Sequence, residues 1–174
     1  MKFTKEQVYQ ACKDIAPKYE FDPKLIYAVC LQEGEKDGKN FEPDVARLEQ
    51  GYYRKYVESK NELATTTEVL LSASYGVMQM MGQSLREAKY FDWYYMVSKE
   101  MYGLTFPLSE IAVPKAINYF CVNLDVMITW GCEWMSFKRK LAKGDISRML
   151  GLWNGDLSGK YAKEVITKLN QVKE

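Results

Sequence analysis

The most constraining stretch of this sequence runs from Pro114 to Met135. Ile117, Phe120, Cys121, Leu124, Met127, Gly131, Trp134 and Met135 recur there at the α-helical period of about 3.6 residues. The segment is apolar on more than one face, which suits a helix enclosed by its neighbours. Asn118, Asn123, Asp125 and Glu133 interrupt it, and no uninterrupted apolar run of about eighteen residues occurs anywhere, so no membrane span is expected. The expectation is one long central helix, opened by Pro114, in a mainly α fold with little or no β structure.

The rest of the chain follows the same period. Thr4 and Gln7 form a candidate capping box for a first helix to about Ala16, stopped at Pro17. Asp22 and Pro23 pair an N-cap with a first-turn proline, and Gly34 ends the resulting helix after Glu33. A third helix is expected from Pro43 through Val45, Leu48, Tyr52 and Tyr56. Thr66 or Thr67 caps a short one holding Val69 and Leu70, and another carries Val77 and Met81 after Gly76. Asp145 caps a helix to Trp153, and Lys160 to Gln171 forms the last. Strand signals are weak, with a small irregular loop or hairpin expected between Gly34 and Phe41.

At 174 residues, without repeats or low-complexity linkers, the chain is expected to form a single domain. It contains no histidine, which excludes a Ser-His or Cys-His nucleophile and removes the commonest zinc ligand. No metal site or cofactor is expected. Cys12, Cys30, Cys121 and Cys132 include no C-x-x-C pair and sit among apolar residues, as buried free thiols do. The net charge is +1, but nine basic and four acidic residues follow Ser136. That excess is dispersed, so a solvated face is expected and no nucleic-acid partner. The amino-terminal residues lack the long apolar segment of a signal peptide, so none is expected; synthesis in a cytoplasm with release by another route is expected, and the chain is expected to be a monomer.

One acidic residue stands out. Ile26, Cys30 and Glu33 fall at i, i+4 and i+7, so Glu33 shares the inward stripe of its helix. It also sits at the negative end of the helix dipole, and burial there would raise the pKa of a carboxyl toward that of a general acid. An acid facing solvent at a frayed helix end, or paired with a Lys or Arg, satisfies the same periodicity. Two further segments bear on it: Ser74-Tyr75-Gly76-Val77-Met78-Gln79, and Trp153-Asn154-Gly155 followed by Tyr161 and Val165.

Taken in order, these three segments resemble the soluble lytic transglycosylases, lysozyme-like enzymes related to the goose-type lysozymes. The likeness is nearest to the versions carried by phages and prophages. Arg47-Leu48-Glu49-Gln50-Gly51-Tyr52 and the stretch Thr67 to Ser74 add to it, and it spans roughly residues 20 to 165. The chain departs from the family at Gly34, where Ser is common, and at Tyr75, often Trp. It departs again in the Trp153-Asn154-Gly155-Asp156 form of the third motif.

The resemblance implies a lysozyme-like single domain and Glu33 as the catalytic acid and base. It implies that Gly76, Met78 and Gln79 shape the cleft floor, with Ser74 and Tyr75 beside them. Asn154 and Tyr161 would contact the sugar or position the carboxyl, and Glu49 would line the site. The implied partner is the glycan strand of bacterial peptidoglycan, cleaved between N-acetylmuramic acid and N-acetylglucosamine to a 1,6-anhydro sugar. Two alternatives stay open. One is a hydrolytic muramidase in which Glu49, Glu35 or Asp37 holds a water, and the other is a non-catalytic wall-binding or virion protein. The implied setting is phage lysis, a virion, or a bacterial secretion accessory.

Overall fold

The computed structural model describes residues 2–35, 38, 40–42, 47–50, 66–102 and 112–172. Over these the chain is mainly helical, with two small antiparallel sheets. β1 (Phe3–Thr4) leads into α1 (Lys5–Ile15), and the capping box is formed: the Gln7 amide donates to Thr4 Oγ1 at 3.2 Å, and the Thr4 amide donates to Gln7 Oε1 at 2.9 Å. Pro17 does not end the chain's helical course abruptly. A 3-10 turn over Ala16–Tyr19 carries it, and Glu20 then reverses direction in the left-handed region at φ 58°.

α2 (Pro23–Glu33) begins as expected, with Asp22 Oδ1 accepting from the Lys24 amide at 2.8 Å. It stops at Gly34, whose amide donates to the Cys30 carbonyl at 2.8 Å. Leu25, Ile26, Tyr27, Ala28, Val29 and Cys30 are all buried. A helix apolar all round must be enclosed, and α2 is packed between α1 and the last helix of the chain. The expected hairpin follows it: Glu35 bridges Phe41, and β2 (Asn40–Phe41) pairs with β1.

Three expectations give way to the structure. The helix expected from Pro43 to Tyr56 falls largely outside the described residues, but Arg47–Leu48 form a strand, β3. It pairs with β4 (Ala73–Tyr75), and the Glu49 amide continues the ladder to the Ser72 carbonyl at 2.9 Å. Between these lies α3 (Thr66–Leu71). The helix expected over Val77 to Met81 is a tight hairpin. Gly76 at φ 76° and Gln79 at φ 48° turn the chain left-handed, and β5 (Met80–Met81) returns along β4. Two left-handed residues so close together cannot belong to a right-handed helix.

The long helix from Pro114 is in fact two, α6 (Ala112–Val122) and α7 (Leu124–Leu141). Asn123 separates them with extended backbone, and its side-chain amide donates to the Tyr119 carbonyl at 2.8 Å. That carbonyl is the one a continuous helix would offer the Asn123 backbone, so the side chain replaces the backbone donor. Two further helices, with no counterpart among the sequence expectations, precede them: α4 (Gly82–Glu87) and α5 (Tyr90–Tyr102). Tyr90 is the centre of an aromatic cluster with Phe91, Trp93, Tyr94, Phe120 and Trp130, and its hydroxyl donates to the Ala116 carbonyl.

α8 (Ile146–Asn154) is capped by Asp145 as expected and closed by Gly155 at φ 83°. α9 (Lys160–Leu169) completes the fold. Its buried face packs on α2, and Gln32 Nε2 donates to Glu164 Oε2 at 2.9 Å across that contact. One hydrophobic cluster takes residues from α1, α2, the β4–β5 hairpin and α6 to α9. The four cysteines are buried within it, none of them in a disulfide.

Candidate active site

Glu33 is the last residue of α2, half-buried, at the meeting point of two adjoining hollows. The tighter one, about 120 Å3, is bounded on the hairpin side by Ser74, Gln79, Met80 and Met81, with Glu49 beside them. Ser84, Trp134, Trp153 and Asn154 close it from the helices. The wider one, about 370 Å3, lies over α9 and is lined by Gln32, Asp156, Lys160, Tyr161 and Glu164. Glu33 and Asn154 line both. Glu33 therefore faces a groove that continues on either side of it.

Each wall has a local cause. β4 alternates, so Ser74 and Tyr75 point to opposite faces of the hairpin. Ser74 faces the groove and its Oγ donates to Glu49 Oε1 at 2.9 Å. Tyr75 faces inward, 3 % exposed, with its hydroxyl donating to the Leu70 carbonyl at 2.8 Å. The Gln79 side chain folds back over the turn to the Gly76 carbonyl at 3.0 Å and still borders the groove. A Cβ on Gly76 would stand 2.8 Å from both Met127 and Phe120, so only glycine lets the turn sit against α6 and α7. Met78 packs over Gly131 of α7, where a side chain would collide with its sulfur.

Tyr161 is held from the other side. Asp156 Oδ2 accepts from the Tyr161 amide at 2.8 Å, while Oδ1 accepts from the Ser158 amide at 2.9 Å and hydroxyl at 2.6 Å. These donors keep the Asp156 carboxyl below the usual range, the Ser158 hydroxyl contributing most. The Tyr161 hydroxyl is buried without a partner at ordinary hydrogen-bond geometry, yet it lies against Glu33 and Trp153. Burial raises its pKa far above the normal tyrosine value, and the negative charge of Glu33 adds to the rise. The phenol thus stays protonated beside the carboxyl.

Of the residues singled out in the sequence, Glu33, Glu49, Ser74, Gln79 and Asn154 share one hollow, and Tyr161 borders the other. Tyr75, Gly76 and Met78 do not line either; they form the packing behind the hairpin. Ser84, Trp134, Trp153, Gln32 and Lys160 line the groove without having been singled out. Trp134 had a signal only as part of an apolar stripe, and Trp153 only as the aromatic of a turn motif.

A larger hollow of about 450 Å3 lies on the opposite face of α2, lined by Tyr27, Leu31 and Glu35. Glu35 is salt-bridged there to Lys5 at 2.6 Å, so it cannot serve Glu33 as a second carboxylate. Asp37 lies outside the described residues. No group of three or more His, Cys, Asp or Glu among the described residues is arranged to hold a metal ion, and no described helix is long and apolar enough to cross a membrane. No family model, curated protein or solved structure matches the chain.

Proposed function

We propose that the protein cleaves the β-1,4 bond between N-acetylmuramic acid and N-acetylglucosamine in peptidoglycan glycan strands, without water. The observation that carries this reading is the position of Glu33, the half-buried carboxyl that lines both hollows of the groove. The resemblance of its three flanking segments to the lytic transglycosylases supports the substrate. Protonated Glu33 gives its proton to the glycosidic oxygen as the C1–O bond breaks. The N-acetyl carbonyl of the muramic acid stabilises the developing oxocarbenium. Glu33, now a carboxylate, takes the proton of the C6 hydroxyl while that oxygen closes on C1. The product is a 1,6-anhydro sugar and the carboxyl is protonated again, so atoms and protons balance. Holding the C6 hydroxyl near C1 supplies much of the acceleration. Peptidoglycan lies outside the cytoplasm, so the enzyme acts after phage lysis begins, from a virion, or by another export route.

A hydrolytic muramidase is the second reading, and the position of Glu49 favours it. Its carboxylate borders the same hollow as Glu33 and is oriented by Ser74, as a water-holding group would be. Mass spectrometry of digested peptidoglycan separates the two. Anhydro-muramic ends are expected with the wild-type chain and none with Glu33→Gln. Reducing ends would replace the first reading by the second. No product, or a fully active Glu33→Gln variant, would overturn both.

A further inference from the structure

The carboxyl-terminal half of α7 carries an exposed apolar face that the groove does not use. Phe137 is 46 % exposed and Leu141 49 %, one turn apart on the same face. Ile146, at the start of α8, is exposed as well. Scattered surface apolar residues need no explanation, but these are interleaved with cations in the sequence, and Lys138 Nζ lies over the Phe137 ring at 5.7 Å. Lys140, Lys143 and Arg148 are exposed and make no ion pair among the described residues. Arg139 is occupied elsewhere, bonded to Glu20 and stacked on Phe21. Asp145 is the one acid between Phe137 and Arg148, and its carboxylate is turned to the Arg148 amide as a helix cap.

We infer that this face docks the protein on an anionic lipid surface. Apolar side chains interleaved with lysine and arginine are what a headgroup region accommodates: the rings and branches enter the acyl boundary, and the cations stay with the phosphates. A soluble polyanion would engage the lysines and leave Phe137 and Leu141 in water. A glycan strand would use the Phe137 ring but gain nothing from Leu141 or the cation cluster. Trp134 stacks on Phe137 with ring centroids 5.1 Å apart and also lines the groove. Docking would therefore hold the groove close to the bilayer.

The test is co-sedimentation of the full chain with vesicles of phosphatidylglycerol and phosphatidylcholine, or of phosphatidylcholine alone. Binding to the anionic vesicles at least tenfold tighter than to the neutral ones is expected. Lys140→Glu with Lys143→Glu is expected to weaken it more than tenfold, at about fivefold for each cation removed from an anionic surface. Leu141→Ser is expected to weaken it severalfold while leaving the melting temperature unchanged. Absent binding, or equal binding to neutral vesicles, overturns the proposal. So does displacement by soluble polyphosphate together with a Leu141→Ser variant that binds like wild type, which would mark a contact made by charge alone. The vesicles contain no glycan, so failure of the cleavage reading leaves this result intact.

Discussion

A Cβ placed on Gly34 would lie 2.5 Å from the carbonyl oxygen of Val77. The end of the helix that carries Glu33 therefore meets the Gly76–Gln79 turn backbone against backbone, and the groove is only as well formed as that contact. Gly34 has a right-handed backbone at φ −109°, so its role is space and not conformational freedom. The turn cannot retreat easily, because Gly76 is already against Phe120 and Met127. The serine common at this position in the resembled family would not fit here without a shift.

Gly34→Ala is expected to cost about 1–3 kcal/mol, the range for forcing an extra carbon into a packed interior. It is expected to lower cleavage further than the lost stability explains, because it parts Glu33 from Gln79. Denaturant unfolding and peptidoglycan turbidity assays on the same preparation measure both. A variant as stable and active as wild type would show that the close approach is immaterial.

Tyr161→Phe separates stability from activity in the opposite sense. The hydroxyl is buried without a well-formed hydrogen bond, so removing it is expected to change stability by less than about 1 kcal/mol in either direction. Its protonated phenol nevertheless lies against Glu33, and a group that orients a general acid typically contributes about tenfold or more to rate. The expected result is an unchanged melting temperature with kcat reduced on the order of tenfold. Loss of stability with unchanged kcat would make Tyr161 a packing residue only.

What could be read from the sequence was chemistry that acts over a few residues. Thr4 with Gln7, Asp22 with Pro23, Gly34 and Asp145 mark helix ends because the capping groups and the free amides are neighbours in the chain. The β3–β4 pairing joins Arg47 to Ser74, and nothing near either residue announces the other. The β4–β5 turn is not legible in the sequence because a left-handed Gln79 looks like any other polar residue in a helical pattern. In the same way Asn123 hides a break by donating its own amide to Tyr119. The candidate site was legible in part. A contiguous motif drew attention to all of Ser74 to Gln79, but alternation along β4 sends Ser74 to the groove and Tyr75 to the core.

Alkaline pH is expected to unfold the protein in a narrow window. Burial pushes Tyr27 and Tyr75 up to about 12, and Tyr90 and Tyr161 higher still. Unfolding returns each to near 10.0. A raised folded pKa means the unfolded chain releases its protons first as pH rises, so the stabilisation is whole below about 10 and is lost progressively above it. Burial also raises the thiols of Cys30 and Cys132 above 9.0, so the melting temperature should be flat up to about pH 9, decline from there, and fall steeply toward 12. Tyrosinate absorbance is expected to gain a late component that appears together with the loss of helical circular dichroism. If all thirteen tyrosines titrated near 10 with the helices intact, the buried assignment of these four would be wrong.

Glu49 decides between the two chemistries with one substitution. Its carboxylate accepts from Ser74 Oγ at 2.9 Å and borders the hollow that Glu33 shares. Glu49→Gln keeps the side-chain length and an oxygen for Ser74 but cannot take a proton from water. If the C6 hydroxyl is the nucleophile, Glu33 alone handles both protons, and Glu49→Gln should retain kcat within about threefold and still yield anhydro ends. If water is the nucleophile, loss of the base should lower kcat by the hundredfold or more that general-base catalysis typically provides. Ser74→Ala is the control, since it frees Glu49 without changing its charge. A modest loss in Ser74→Ala beside a large one in Glu49→Gln would assign the carboxylate a chemical role and replace the anhydro mechanism with hydrolysis. Small losses in both would leave the pair as a wall of the groove and count against water as the nucleophile.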